Sequence, residues 1–272
     1  MEVALKIPEG FVFSQNNLQD FIDCPRRFEL RWLQHLDWPA AEAEPIEENR
    51  IHMQRGSTFH QLIQQDQLSI DVTSYLNNLD FELQQWFRNY RSNPPIDHSL
   101  PRAIEVSYSI PFMKYRLLAK YDAVVKNPDG KLILIDWKTN NRKTSRQALT
   151  QRMQTKVYPF VLKEALGIDA ETIQLIYWFT SEPEKPELFN YSAAEHAATK
   201  QELVQTIEAI EQCTRSGFPL TADTRKCSFC VYRSYCDRGK STGDMDADDA
   251  ESLDPIGGID RESLLQSAEI EF

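Results

Sequence analysis

Apolar positions recur at helical spacing in the first ninety residues, in short dense runs in the middle, and at helical spacing again towards residue 216. Ser14 reads as the N-cap of a helix through Leu18, Phe21, Ile22, Phe28 and Leu30 to about Leu36. Pro25 interrupts that pattern and predicts a kink, or two helices meeting, at Cys24-Pro25. Residues 39–50, rich in Pro, Ala and Glu, read as a loop. Helices are predicted from Gly56 to Gln67 and from about Val72 to Tyr90, before Asn93-Pro94-Pro95 breaks the pattern. Strands follow at roughly 103–110, 115–125 and 131–138. A helix runs from about Ser145 to Ala165 and stops at Gly167. Ile173–Phe179 and Glu187–Tyr191 are strand-like, Ala193 to about Ser216 is a long helix, and 220–240 is a cysteine-bearing cap. Strands in the middle with helices on both sides give an α/β class: a mixed β-sheet core flanked by helices. There is no internal repeat.

One turn sets the register of the middle strands. Asn127-Pro128-Asp129-Gly130-Lys131 has Pro at the second turn position and Gly where a positive φ is required, the signature of a three-residue hairpin loop with a glycine bulge. Asn127 then pairs with Lys131, and counting back equally puts Asp122 opposite Asp136. Their Cβ atoms should lie roughly 5 Å apart. Asp136 and Lys138, two apart on a strand, share a face after the buried run Ile133-Leu134-Ile135. Two carboxylates that close repel unless a cation lies between them, and a divalent metal suits the position.

Composition adds compartment and partner. At 272 residues, 41% hydrophobic and 26% charged, the chain can bury a full core. No run of roughly 18 apolar residues occurs and the first residues lack a secretory pattern, so a cytoplasmic protein is expected. Its five cysteines are then reduced thiols or metal ligands. The net charge of −11 is unevenly spread: residues 241–272 hold ten acidic residues against Arg261 alone. Residues 114–163 carry twelve Lys or Arg against Asp122, Asp129 and Asp136, a balance of +9 that suits a polyphosphate substrate. The expected organisation is a folded unit over 1–240 and an acidic, disordered tail over 241–272. Arg26, Arg27, Arg31, Arg142, Lys143 and Arg146 are candidates for phosphate contacts.

Cys227-x2-Cys230-x5-Cys236 supplies three thiols and Cys24 a natural fourth, so closing the site would staple the first helix to the last segment. Spacing alone leaves zinc and an iron–sulfur cluster both open. Cys213, inside the long helix, reads as a core residue.

In order, Gly56-Ser57-Thr58-Phe59-His60, Asp122, Asp136-Trp137-Lys138 and Gln154-x3-Tyr158 resemble the motifs of RecB-type PD-(D/E)xK nucleases. With Cys24-Pro25-Arg26-Arg27-Phe28 and the C-terminal cysteines, the set is similar to the iron–sulfur branch that includes the AddB nuclease domain and CRISPR adaptation nucleases. The resemblance spans about residues 11–240. It departs at Ala119, where the family often has Gly, and in the acidic tail. It implies a restriction-endonuclease-like fold and a Mg²⁺- or Mn²⁺-dependent deoxyribonuclease acting on single-stranded DNA or DNA ends. Repair, recombination or CRISPR adaptation would be its setting. His60, Asp122, Asp136 and the Trp137 carbonyl would be metal ligands, and Lys138 would orient the attacking water. Gln154 and Tyr158 would position Lys138 or touch DNA. The cysteines Cys24, Cys227, Cys230 and Cys236 would hold a 4Fe-4S cluster. The Trp137 side chain reads as packing rather than base stacking. No phosphate-binding loop occurs, so any duplex opening would fall to a separate helicase. The competing reading is a catalytically silent nucleic-acid-binding subunit carrying an iron–sulfur cluster or zinc, partnering a helicase.

Overall fold

A computed structural model describes residues 6–36, 46–228 and 230–238. The expected tail at 241–272 and most of the expected loop at 39–50 lie outside the described residues.

Among the described residues six strands form one mixed sheet: β1 (Val12–Ser14), β2 (Arg102–Phe112), β3 (Tyr115–Lys126), β4 (Leu132–Lys138), β5 (Ile173–Phe179) and β6 (Glu187–Asn190). The hairpin count holds. Asn127 N–H donates to the Lys131 carbonyl at 2.8 Å, and Ala123↔Ile135 through Lys126↔Leu132 pair in the expected register. β2 runs antiparallel along one edge of β3 from Phe112↔Tyr115 to Arg102↔Val125. The other edge is shared: β1 pairs in parallel with Arg116–Leu118, and β4 pairs with Ala123–Lys126. Residues 119–122 therefore face a gap in the ladder. Beyond Ile135, β4 leaves β3 and continues only beside β5, where Asp136, Trp137 and Lys138 pair with Tyr177, Trp178 and Phe179. The sheet splits where the two aspartates sit.

Helices cover both faces. α1 (Gln15–Asp23), α7 (Met153–Leu166) and α8 (Ala193–Ser216) bury one face with Leu18, Val157, Val161, Leu203 and Ile207 against Tyr121, Val124 and Leu134. α3 (Ile46–Gln67) and α5 (Phe81–Ser92) cover the other with Phe59, Leu62, Trp86 and Tyr90 against Ala123, Ile135, Trp137 and Trp178. Alternation along β4 thus sends Trp137 to α3 and α5, while Asp136 and Lys138 share the opposite face with Leu134.

Three helix expectations change. α3 begins at Ile46, ten residues before Gly56. The helix expected over Val72–Tyr90 divides into α4 (Thr73–Leu76), which ends at the Asn77 cap, and α5, which Asp80 caps, its carboxylate accepting the Leu83 N–H at 3.0 Å. The helix expected from Ser145 also divides: Arg152 is extended (φ −70°, ψ 138°) between α6 (Arg146–Gln151) and α7. The kink at Cys24 is present, with α1 ending there and α2 (Pro25–Phe28) running on into a π-helical turn, Glu29–Leu33.

Candidate active site

The break at Arg152 aims the start of α7 at the split in the sheet. Gln19, on α1, accepts the Met153 N–H at 2.9 Å and fixes that helix end. Gln154, one residue on, then bridges the two charges of β4. Its Nε2 donates to Asp136 Oδ1 at 2.6 Å, and its Oε1 accepts from Lys138 Nζ at 2.7 Å. Lys138 Nζ lies 3.0 Å from Asp136 Oδ2, closing a triangle of side chains. Asp136 and Lys138 are buried. Tyr158, one turn further along α7, accepts a second Gln154 Nε2 contact at 3.0 Å. Burial, with Asp136 and Asp122 adding, holds the Tyr158 hydroxyl well above its ordinary pKa, so it stays neutral.

On the β3 side of the gap, Asp122 Oδ2 accepts the Trp137 N–H at 2.8 Å, a backbone group the ladder no longer serves. Its Oδ1 lies 3.3 Å from His60 Nδ1, delivered by α3. Burial alone would lower the His60 pKa, but Asp122 overrides it, with Asp136 and Glu105 adding, and the imidazole is raised to about 9. Burial works against Asp122 too, yet His60, the Trp137 N–H and Lys138 hold its carboxyl below the usual range. The two form an ion pair at neutral pH.

Glu105 joins them, a residue the sequence reading missed. It sits in β2 at φ +52° and drops out of the ladder opposite Asp122, between Ile104↔Ala123 and Val106↔Tyr121. His60, Glu105 and Asp122 each bring one ligand atom to within 4.8 Å of the others. One imidazole and two carboxylates are a donor set that suits a hard divalent cation. Asp136 is not part of this three-residue group but lines the same cleft. The sequence held the signal. Counting across the Met113-Lys114 hairpin puts Glu105 opposite Asp122, but neither turn residue is Gly, Asn or Asp, and Met113 takes φ +53° regardless.

His60, Glu105, Asp122, Asp136, Lys138, Gln154 and Tyr158 all open onto one cleft of about 640 Å³. The Trp137 side chain is buried edge-on against Tyr90 and Trp178. Several expected phosphate contacts are committed elsewhere. Arg27 is buried between Asp20 and Asp23, each at 2.8 Å, Arg26 pairs with Glu29, and Lys143 and Arg146 both bind Glu187. Arg31 lines the cleft, and Arg142 is exposed.

Cys24, Cys227, Cys230 and Cys236 line one small cavity, together with Arg27, Lys226, Arg233 and Arg238. Cys213 lies apart, packed on the main core. Burial, with Cys24 and Cys236 adding, pushes the Cys230 thiol up to about 11 despite Arg27. Four thiols converging among four cations fit a group that takes thiolates and carries net negative charge.

The family model described as the PD-(D/E)XK nuclease superfamily matches residues 12–237. No curated protein matches the chain. A solved structure titled "Crystal structure of SSO0001" is similar at 15% identity and a TM-score of 0.40, over 85% of this chain and 88% of that one. No helix among the described residues is long and apolar enough to cross a membrane.

Proposed function

Because the chain belongs to the PD-(D/E)XK nuclease superfamily, we propose that it is a Mg²⁺- or Mn²⁺-dependent deoxyribonuclease acting on single strands or DNA ends. The observation that carries the reading is the meeting, in one cleft, of the His60–Glu105–Asp122 group with the Asp136–Lys138–Gln154 triangle. A divalent cation held by His60, Glu105 and Asp122, with Asp136 beside them, would supply Lewis acidity toward a phosphate oxygen and a water.

The chain's own groups supply the rest. Lys138, fixed by Asp136 and Gln154, presents a buried ammonium to the negative charge that grows on phosphorus as water attacks and the P–O bond to the leaving oxygen breaks. Gln154 holds Lys138 and Asp136 in one arrangement, so little reorganisation is needed during reaction. Tyr158 steadies Gln154 and remains protonated. In this reading Glu105 replaces part of the ligand role expected of Asp136, and the Trp137 backbone serves Asp122 through its N–H.

The iron–sulfur branch of the family is supported by the four-cysteine cavity and its ring of cations. A 4Fe-4S cluster there would tie α1 to the C-terminal cap, with zinc as the alternative. No phosphate-binding loop occurs in the sequence, so processive action on duplex would require a separate helicase. The test is cleavage of end-labelled single-stranded and duplex DNA by anaerobically purified protein, with iron and zinc measured on the same sample. Cation-dependent products with stoichiometric iron support both parts. Absence of cleavage with either cation refutes the first part, and zinc without iron refutes the second.

A further inference from the structure

The cleft lining includes an aromatic side chain that the hydrolytic chemistry does not use. Trp32, in the π-helical turn, is partly buried against the core and lines the cleft alongside Arg31, Gln15 and Gln19. Its orientation is fixed from the edge: the indole Nε1–H donates to Asp20 Oδ2 at 2.8 Å. Arg31 Nη1 reaches the same oxygen at 3.2 Å, and its guanidinium lies over one face of the indole, 5.0 Å from the centroid, as the outer layer of the pair. Asp20 is itself immobilised, buried and bound through Oδ1 by the buried Arg27 at 2.8 Å. A tryptophan held this firmly needs no ordering when a flat ligand arrives.

We propose that Arg31 and Trp32 form a stacking platform for one unpaired nucleobase of the bound strand, setting a preference for single-stranded substrate. The inference rests on the nuclease reading and deepens it. Stacking requires the base to leave any duplex, and it tolerates all four bases because each has a π-face. Arg31 adds a planar cation to the platform, while its pairing to Asp20 keeps it from serving chiefly as a phosphate anchor. The π-helical turn has a role here too. It carries Arg31 and Trp32 directly after α2, where both reach back to Asp20 on α1.

The experiment is binding of a labelled single-stranded oligonucleotide to the full chain without added divalent cation, so that failure to cleave leaves it interpretable. An abasic residue is moved one position at a time along the oligonucleotide. One position should weaken wild-type binding by about 5- to 150-fold, the range of one lost base–aromatic stack. Trp32→Ala should show a similar loss on the intact strand and no further loss with the abasic residue at that position. Trp32→Phe should recover most of it. A wild-type scan with no position-specific loss overturns the proposal, whether or not Trp32→Ala folds. A Trp32→Ala defect that adds equally to every abasic position overturns it as well, because it marks Trp32 as packing only.

Discussion

Lys138 has no solvent to fall back on. It is buried, and its ammonium is held by Asp136, Gln154 and the face of Tyr177, whose ring centroid lies 5.2 Å away. Lys138→Ala removes a preorganised charge, so single-turnover cleavage of a labelled oligonucleotide should fall by about 10²–10³-fold. Gln154→Ala leaves the charge but frees its geometry, and the same assay should show a smaller loss, on the order of 10–100-fold. His60 gives a pH signature. Its pKa is raised from 6.5 to about 9, so its pairing with Asp122 contributes stability that is fully present below about pH 6.5. That contribution is lost as pH rises through about 9. Melting of cation-free protein should therefore drop over this window, and His60→Asn should flatten the drop. The same proton must leave before the imidazole can ligate, so Mn²⁺ affinity measured by calorimetry should tighten by roughly tenfold per pH unit across the window.

At the scale of elements, the hairpin between β3 and β4 positions Asp122, and it depends on Gly130 at φ +90°. Gly130→Val forces a branched side chain into the left-handed region and should destabilise the fold by about 1–3 kcal/mol in a denaturant titration, with cleavage by the folded fraction retained. That turn was legible because Pro128 and Gly130 each have one conformational meaning, and it fixed the register through Ala123↔Ile135. The strands, the helix Ala193–Ser216 and the kink at Pro25 were legible for the same kind of reason: long periodic runs or a residue with one backbone preference. The break at Arg152 was not. Nothing in Gln151-Arg152-Met153 disfavours helix, and the break is imposed from outside by Gln19 capping Met153. Glu105 was hidden by an unmarked turn, and the buried pairing of Arg27 by a helix face that reads as basic. Local chemistry predicts local geometry; contacts between distant elements decide the rest.

For the molecule as a whole, the split sheet explains why the residues of the candidate site come from every layer. β1 and β4 share one edge of β3, leaving residues 119–122 without a strand partner on that edge, and α3 and α7 reach the gap from opposite faces. The cysteine cavity sits beyond α1, linked to the cleft by Arg27, which is buried between Asp20 and Asp23 next to Cys230. Cys24→Ser should therefore lower iron content and melting temperature together. Asp136→Asn should leave the visible absorbance of the proposed cluster intact. Iron bound equally by both variants would remove Cys24 from any ligand role.

The most direct measurement is cleavage of an end-labelled single-stranded oligonucleotide by wild-type, Glu105→Gln and Asp136→Ala proteins in Mg²⁺ and in Mn²⁺. The account predicts cation-dependent cleavage by the wild type, none by Asp136→Ala, and a Glu105→Gln enzyme needing at least about tenfold more cation. Wild-type-like cleavage by Asp136→Ala would contradict it.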